Sequence, residues 1–291
     1  MLKLIAFILM TIDHMCWLWP HYIPYEVGFI LRLICRLSFP IFAYDCVMGL
    51  RRTHSIAKYL ARLGLLAVIS QYAIHFAYTH WHVRDIADFV NIFFTLFAGI
   101  VFIMSLDLII ASYRSLSGKR KTEKWQLFHY DNCRLWQKLT APTEKKYVAF
   151  ICLLLGLVLA ICCLLLVYIF KTDYAVFGLL FIATLHFIVY KCGDFNPKLD
   201  KTALQNLIPV YLLRLACVIG VYLLLADYLL PWFGINSLMF GDVQTFVIFI
   251  PYLLPLAAKS HRPKWWVSRL LYFYYPLHLL LICYIRYLTI R

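Results

Sequence analysis

The sequence predicts an all-α, polytopic integral membrane protein. Three observations predict it: a composition too apolar for one soluble core, about nine apolar runs of spanning length, and basic residues gathered in alternate connections. Of the 291 residues, 64% are hydrophobic and 14% are charged, and the mean hydropathy is +0.78. A soluble domain is about 45–50% apolar and about 25% charged, so the bilayer must solvate much of this surface. The 22 Phe and 21 Tyr suit lipid-facing and interfacial positions.

A span needs ~20 mostly apolar residues. Residues 2–19, 28–50, 57–78, 87–112, 147–170, 173–190, 206–230, 241–258 and 267–288 meet that requirement. Lys3 before the first run resembles the start of a signal peptide. Asp13 and His14 interrupt that run, however, and no small-x-small site follows, so it is read as the first span.

The charges orient the spans. Arg51, Arg52 and Lys58 flank the second connection, and nine Lys and Arg lie within 113–146. Lys191, Lys198 and Lys201 mark the sixth connection, and Lys259, Arg262, Lys264 and Arg269 the eighth. Connections 20–27 and 231–240 carry none. By the positive-inside rule the N-terminus is cytoplasmic and the C-terminus lies outside. Residues 1–291 read as one membrane domain with a basic cytoplasmic loop at 113–146. Trp125, Phe128 and Trp136 among its charges suit an amphipathic surface helix, with a disordered linker as the alternative.

The net charge of +14 follows from this topology and does not point to nucleic acid. Membrane lipid and an anionic ligand at the cytoplasmic face are the partners it suits. The ten cysteines include no CxxC pair and no zinc spacing, so they are read as packing residues and no metal is expected.

An ionisable side chain deep in a bilayer costs at least ~2.5–3.5 kcal/mol, which makes such residues candidates for function. Asp13 and His14 lie roughly 16 Å into the first span at ~1.5 Å per residue. Arg32 and Arg36 stand at i,i+4 on one face of the second, and reach a similar depth from the other direction. Asn91, Asp173, Tyr174 and Gln244 begin later spans on the outer side. His278 lies near the midplane of the last, after Pro276, which is expected to bend that helix and free a carbonyl. If these groups converge, a His could take a proton from an amine or hydroxyl, and two Arg could hold a carboxylate, phosphate or oxyanion. The structural alternatives are an Asp13–Arg ion pair and a satisfied core histidine at 278. His186 and Arg214 are weaker candidates, and His21, His75, His80 and His82 read as interfacial. A proton-coupled transporter could use the same buried Asp, His and Arg, although no inverted repeat is visible. Neither a Walker loop nor GxGxxG, GxSxG or HExxH occurs.

Several blocks resemble one family. LKLIAFILMTIDHM (2–15), CRLSFPIFAYDCVMGL (35–50), NIFFTLFAGI (91–100), DYAVFGLL (173–180) and FYYPLHLL (273–280) are similar, in order, to blocks of the TraX family, named for the conjugative F-pilin acetylase. LPLAAKSHRPKW (254–265) departs from the Tyr-Asn-Gly-rich turn that family members often carry. The first-helix pattern is also similar to wider transmembrane acyltransferases, among them the lysosomal heparan glucosaminide N-acetyltransferase and bacterial polysaccharide O-acetyltransferases.

The resemblance implies a membrane acetyltransferase, in a bacterial cytoplasmic membrane, that draws on cytoplasmic acetyl-CoA and modifies a peptide N-terminus or a glycan at the far face. It implies His14 as general base, Asp13 orienting it, and Arg36 and His278 in the catalytic set. Arg32, Asn91, Asp173 and Tyr174 are expected to bind the donor. A non-catalytic assembly factor that retains the fold is a third reading.

Overall fold

A computed structural model describes residues 2–19, 22–81, 90–117, 145–192 and 265–289. Its elements are helices α1 (Leu2–Leu18), α2 (Tyr25–Cys35), α3 (Ser38–Arg52), α4 (Ile56–Trp81), α5 (Ile92–Leu116), α6 (Lys146–Ile169), α7 (Ala175–Cys192) and α8 (Trp265–Thr289). Among the described residues there is no strand, only one isolated parallel bridge between Val90 and Thr172. The expected spans 206–230 and 241–258, with Arg214 and Gln244, lie outside the described residues, as does most of the 113–146 loop.

Four segments are long and apolar enough to cross a membrane: Tyr25–Arg51, Ile56–Trp81, Ile92–Leu116 and Lys146–Ile169. Their outward faces carry the signature of lipid contact. Along α6, Phe150, Ile151, Leu154, Leu155, Val158, Ile161, Leu165 and Ile169 are all exposed. A continuous apolar exterior of this kind is stable in hydrocarbon and not in water.

The span expected over 28–50 is two helices. Arg36 and Leu37 form the turn between α2 and α3. Pro40 accounts for it: a proline lacks the N–H that would bond the carbonyl four residues back, and its ring crowds that carbonyl. Four residues before Pro40 is Arg36. The break therefore falls at the residue whose side chain enters the buried cluster described below. At Pro276, by contrast, α8 continues as one helix.

Long-range contacts give the helix directions. Thr11 meets Tyr274 and His14 meets His278, so α1 and α8 run the same way. Lys3 pairs with Asp45 at 3.3 Å and Asp13 with Arg36 at 3.8 Å, so α1 and α3 run oppositely. The side chains of Ala149, Gly156, Ala160, Cys163 and Val167 make a small-residue stripe on α6 at helical spacing. It lets α6 lie close against α5, as membrane helices do when van der Waals packing must hold them. Between α5 and α7, Asp107 and His186 form a pair at 3.0 Å with side-chain exposures of 0% and 1%. The pair links the two helices, and Asp107 is a buried polar residue that hydropathy did not single out.

At the α5–α6 contact a glycine meets backbone as well as side chain. A Cβ on Gly156 would lie 2.8 Å from Ile109 Cγ1 and 3.1 Å from the Ser105 carbonyl oxygen, and backbone does not yield cheaply. Overpacking of this kind costs about 1–3 kcal/mol. Gly156→Val is therefore expected to lower the thermal unfolding midpoint in detergent. Gly64→Ala, whose Cβ meets only the Phe97 ring at 3.4 Å, is expected to leave it unchanged within error.

Candidate active site

Two polar clusters share α1, one on each side of it. Asp13 and His14 are consecutive, so their side chains leave the helix about 100° apart. Asp13 faces the α2–α3 turn, whereas His14 faces α8.

On the first side, Asp13 Oδ1 lies 3.5 Å from Arg32 Nε, and Asp13 Oδ2 lies 3.8 Å from Arg36 Nη1. The i,i+4 spacing of the arginines brings both to one carboxylate. Arg36 Nη1 also donates to the Tyr174 hydroxyl at 3.3 Å. Tyr174 stacks on Phe39 with ring centroids 4.0 Å apart. The turn that carries it is held from several directions. The Asp173 N–H donates to the Val90 carbonyl at 3.0 Å, and the Thr95 hydroxyl donates to the Asp173 carbonyl. Lys171, Tyr174 and Ala175 all adopt positive φ, at 46°, 62° and 37°. Non-glycine residues hold such angles only when their surroundings impose them.

The ion pairs in this cluster are longer than hydrogen bonds. Asp13 Oδ1, Arg32 Nε and Arg36 Nε are buried and have no hydrogen-bond partner among the described residues. Two guanidinium groups thus share the Asp13 carboxylate loosely, and N–H donors remain unused.

On the second side, His14 Nδ1 lies 2.9 Å from His278 Nε2. The two imidazoles are 7% and 6% exposed. His278 Nδ1 bonds the Tyr274 carbonyl at 3.0 Å, one helical turn back. Aromatic rings enclose the pair. Tyr274 stacks on His278 at 5.1 Å, and Tyr275 stands edge-on to His278 at 5.3 Å and to His14 at 6.1 Å. Thr11 donates to the Phe7 carbonyl at 2.8 Å, so it accepts from the Tyr274 hydroxyl 2.7 Å away. Phe7, Thr11 and His14 thus present one face of α1 to Tyr274 and His278.

A cavity opens at the Lys3 end of the bundle. Lys3, Asp45, Cys46, Gly49 and Tyr59 line its polar part, and Phe7, Phe42, Leu63, Leu66, Phe93 and Leu96 its apolar part. Its empty space is ≈ 850 Å³, the open mouth included. Phe7 and Phe93 connect it to the histidines, because Phe7 packs edge-on against Tyr274 at 4.9 Å and Phe93 against Tyr275 at 4.7 Å.

The expected residues therefore fall into three groups. Asp13, Arg32, Arg36 and Tyr174 come together, with Asp173 beside them. His14 and His278 come together separately. Asn91 does neither: it is fully buried as the N-cap of α5, where its side chain accepts from the Phe93 N–H and its amide donates to Ala67 and Gln71 at 2.9 Å each. Both amide N–H groups of Asn91 are thus engaged within the fold, as suits a buried cap. Asp13 makes the ion pair named as the structural alternative, with both arginines, and His14 Nδ1 meets His278.

Sequence reading missed Thr11, Tyr274 and Tyr275. Their signal was the i,i+4 spacing of Tyr274 to His278 and of Phe7 to Thr11.

No curated protein and no solved structure matches the chain. Residues 1–114, which include Asp13, His14, Arg32 and Arg36, match the family model described as TraX protein, and over this segment the chain is similar to that family.

Proposed function

We propose that the protein is a membrane acetyltransferase that moves an acetyl group from cytoplasmic acetyl-CoA to an amine or hydroxyl at the far side of the membrane. One observation carries the reading: a buried histidine pair lies beside an arginine–aspartate cluster with unused N–H donors, on the segment matched by the TraX family. The coarser frame is a helical membrane protein of a family tied to pilin acetylation. The nine-span topology with a cytoplasmic N-terminus, and a bacterial cytoplasmic membrane, belong to the proposal and rest on the distribution of Lys and Arg.

The cavity suits the donor. Lys3 lines it, on the side the charges assign to the cytoplasm, where basic residues would meet the nucleotide phosphates. From Lys3 to His14 the rise along α1 is about 16 Å at ~1.5 Å per residue. That matches an extended pantetheine arm of roughly 15–20 Å, about half the hydrocarbon core. Phe7 and Phe93 close the inner end, and rotation of these rings would admit the thioester to the histidines.

His14 takes the proton of the incoming N–H or O–H, and the nucleophile attacks the thioester carbon. Arg36 holds the developing oxyanion through its Nε–H, which has no hydrogen-bond partner among the described residues. As the tetrahedral intermediate collapses the C–S bond breaks, and the proton on His14 passes to the departing sulfur. A peptide N-terminus and a glycan hydroxyl both satisfy this chemistry.

The reading is tested with purified protein and acetyl-CoA. His14→Ala is expected to lower acetyl transfer by about 10²-fold or more, the range of a general base, while CoA binding persists. Normal transfer by His14→Ala would remove the base assignment. Mass spectrometry of cells with and without the protein should show an acceptor that differs by one acetyl group. Substrate accumulation in proteoliposomes without acetyl-CoA would instead favour a transporter.

The cavity carries its own prediction. A Cβ on Gly49 would stand 3.0 Å from the Tyr59 hydroxyl oxygen, across the cavity wall. Gly49→Val narrows the space, so the KM for acetyl-CoA should rise by about tenfold, a change of ~1.4 kcal/mol, with kcat little altered. An unchanged KM would place the donor elsewhere.

A further inference from the structure

From the hydrogen bonds around α8 we infer that His278 is the residue that sets the tautomer of His14, so that the base presented to the acceptor is His14 Nε2. The inference rests on the acetyl-transfer reading for its consequence, but its premise is geometric.

The argument begins at Tyr274. Its backbone oxygen is a carbonyl and can only accept. His278 Nδ1, 3.0 Å away, must therefore carry a hydrogen. Both imidazoles are buried among Tyr274, Tyr275 and each other, and no carboxylate among the described residues hydrogen-bonds to either. Asp13, the nearest carboxylate in sequence, is engaged by Arg32 and Arg36. A dry site of this kind holds the rings neutral in the resting state.

A neutral imidazole has one N–H. With the hydrogen of His278 on Nδ1, its Nε2 has only a lone pair. The 2.9 Å contact to His14 Nδ1 must then be an N–H of His14 donating to His278. The hydrogen of His14 is thereby fixed on Nδ1, and its Nε2 is left with a free lone pair. One backbone carbonyl thus dictates the proton positions along a chain of two rings. His278 acts through His14 and is a positioning residue. When His14 Nε2 takes the acceptor's proton, the bond to His278 becomes charge-assisted and stronger, so the imidazolium is stabilised in place. Other families give this task to a carboxylate, whereas here a second imidazole tied to a helix carbonyl does it.

The test uses the full chain in lipid nanodiscs with ¹⁵N-labelled histidine. The resting protein should show His14 protonated at Nδ1 and unprotonated at Nε2, with its signals assigned from the His14→Gln spectrum. In His278→Leu the acceptor for Nδ1–H is gone, so this tautomer should lose its dominance. Acetyl transfer should fall by about 10²-fold while CoA affinity is retained. His278→Gln places an amide oxygen where Nε2 was, and should recover most of that loss and restore the Nδ1–H tautomer. A resting His14 protonated at Nε2 would overturn the inference. So would a His278→Gln variant as impaired as His278→Leu with donor binding intact. If the wild-type protein transfers no acetyl group, the reaction reading fails, and the tautomer spectrum still decides the pairing.

Discussion

Hydrocarbon offers a polar side chain no water, so a buried polar group in this protein is held by another part of the protein. That constraint organises the described helices. Apolar faces alone distinguish poorly between neighbours, because lipid tails are as apolar as leucine. Each polar pairing, by contrast, names two helices and one register. Asp13 with Arg32 and Arg36 joins α1 to the α2–α3 turn, His14 with His278 joins α1 to α8, and Asp107 with His186 joins α5 to α7. Small residues on α6 complete the frame by close approach, where no polar contact is needed.

The same constraint separates charge from proton chemistry. The guanidinium groups and the Asp13 carboxylate lie on one face of α1, and the imidazole pair lies on the adjoining face. A carboxylate hydrogen-bonded to His14 would place a full charge beside the ring and raise its basicity. With Asp13 occupied by arginines, the histidines answer to a dipole, the Tyr274 carbonyl, instead of a full charge. Aromatic rings then keep water from the pair, and the apolar depth of the cavity ends against those same rings.

Much of this was legible in the sequence, and the reasons differ by residue. Asp13, His14, Arg32, Arg36 and His278 stand out because a polar residue in an apolar run is costly and therefore conspicuous. Pairing was harder to read. Asp13 and His14 are adjacent, which suggests that they cooperate, yet neighbours on a helix point in different directions. The break at Arg36 follows from Pro40, but hydropathy averages across it and yields one span. Asn91 was conspicuous by its position at the start of α5, but its role as a cap shows only in its hydrogen bonds to Phe93, Ala67 and Gln71. Tyr274 and Tyr275 drew no notice because tyrosine is common in this chain.

His14 and His278 are 264 residues apart. A nascent chain that has inserted every residue of the TraX-matched segment still has no histidine pair, and gains one only when α8 is made and docks beside α1. Incomplete products of synthesis would thus carry the arginine cluster without the histidine pair. Formation of the pair therefore waits on a helix synthesised long after α1 has entered the membrane.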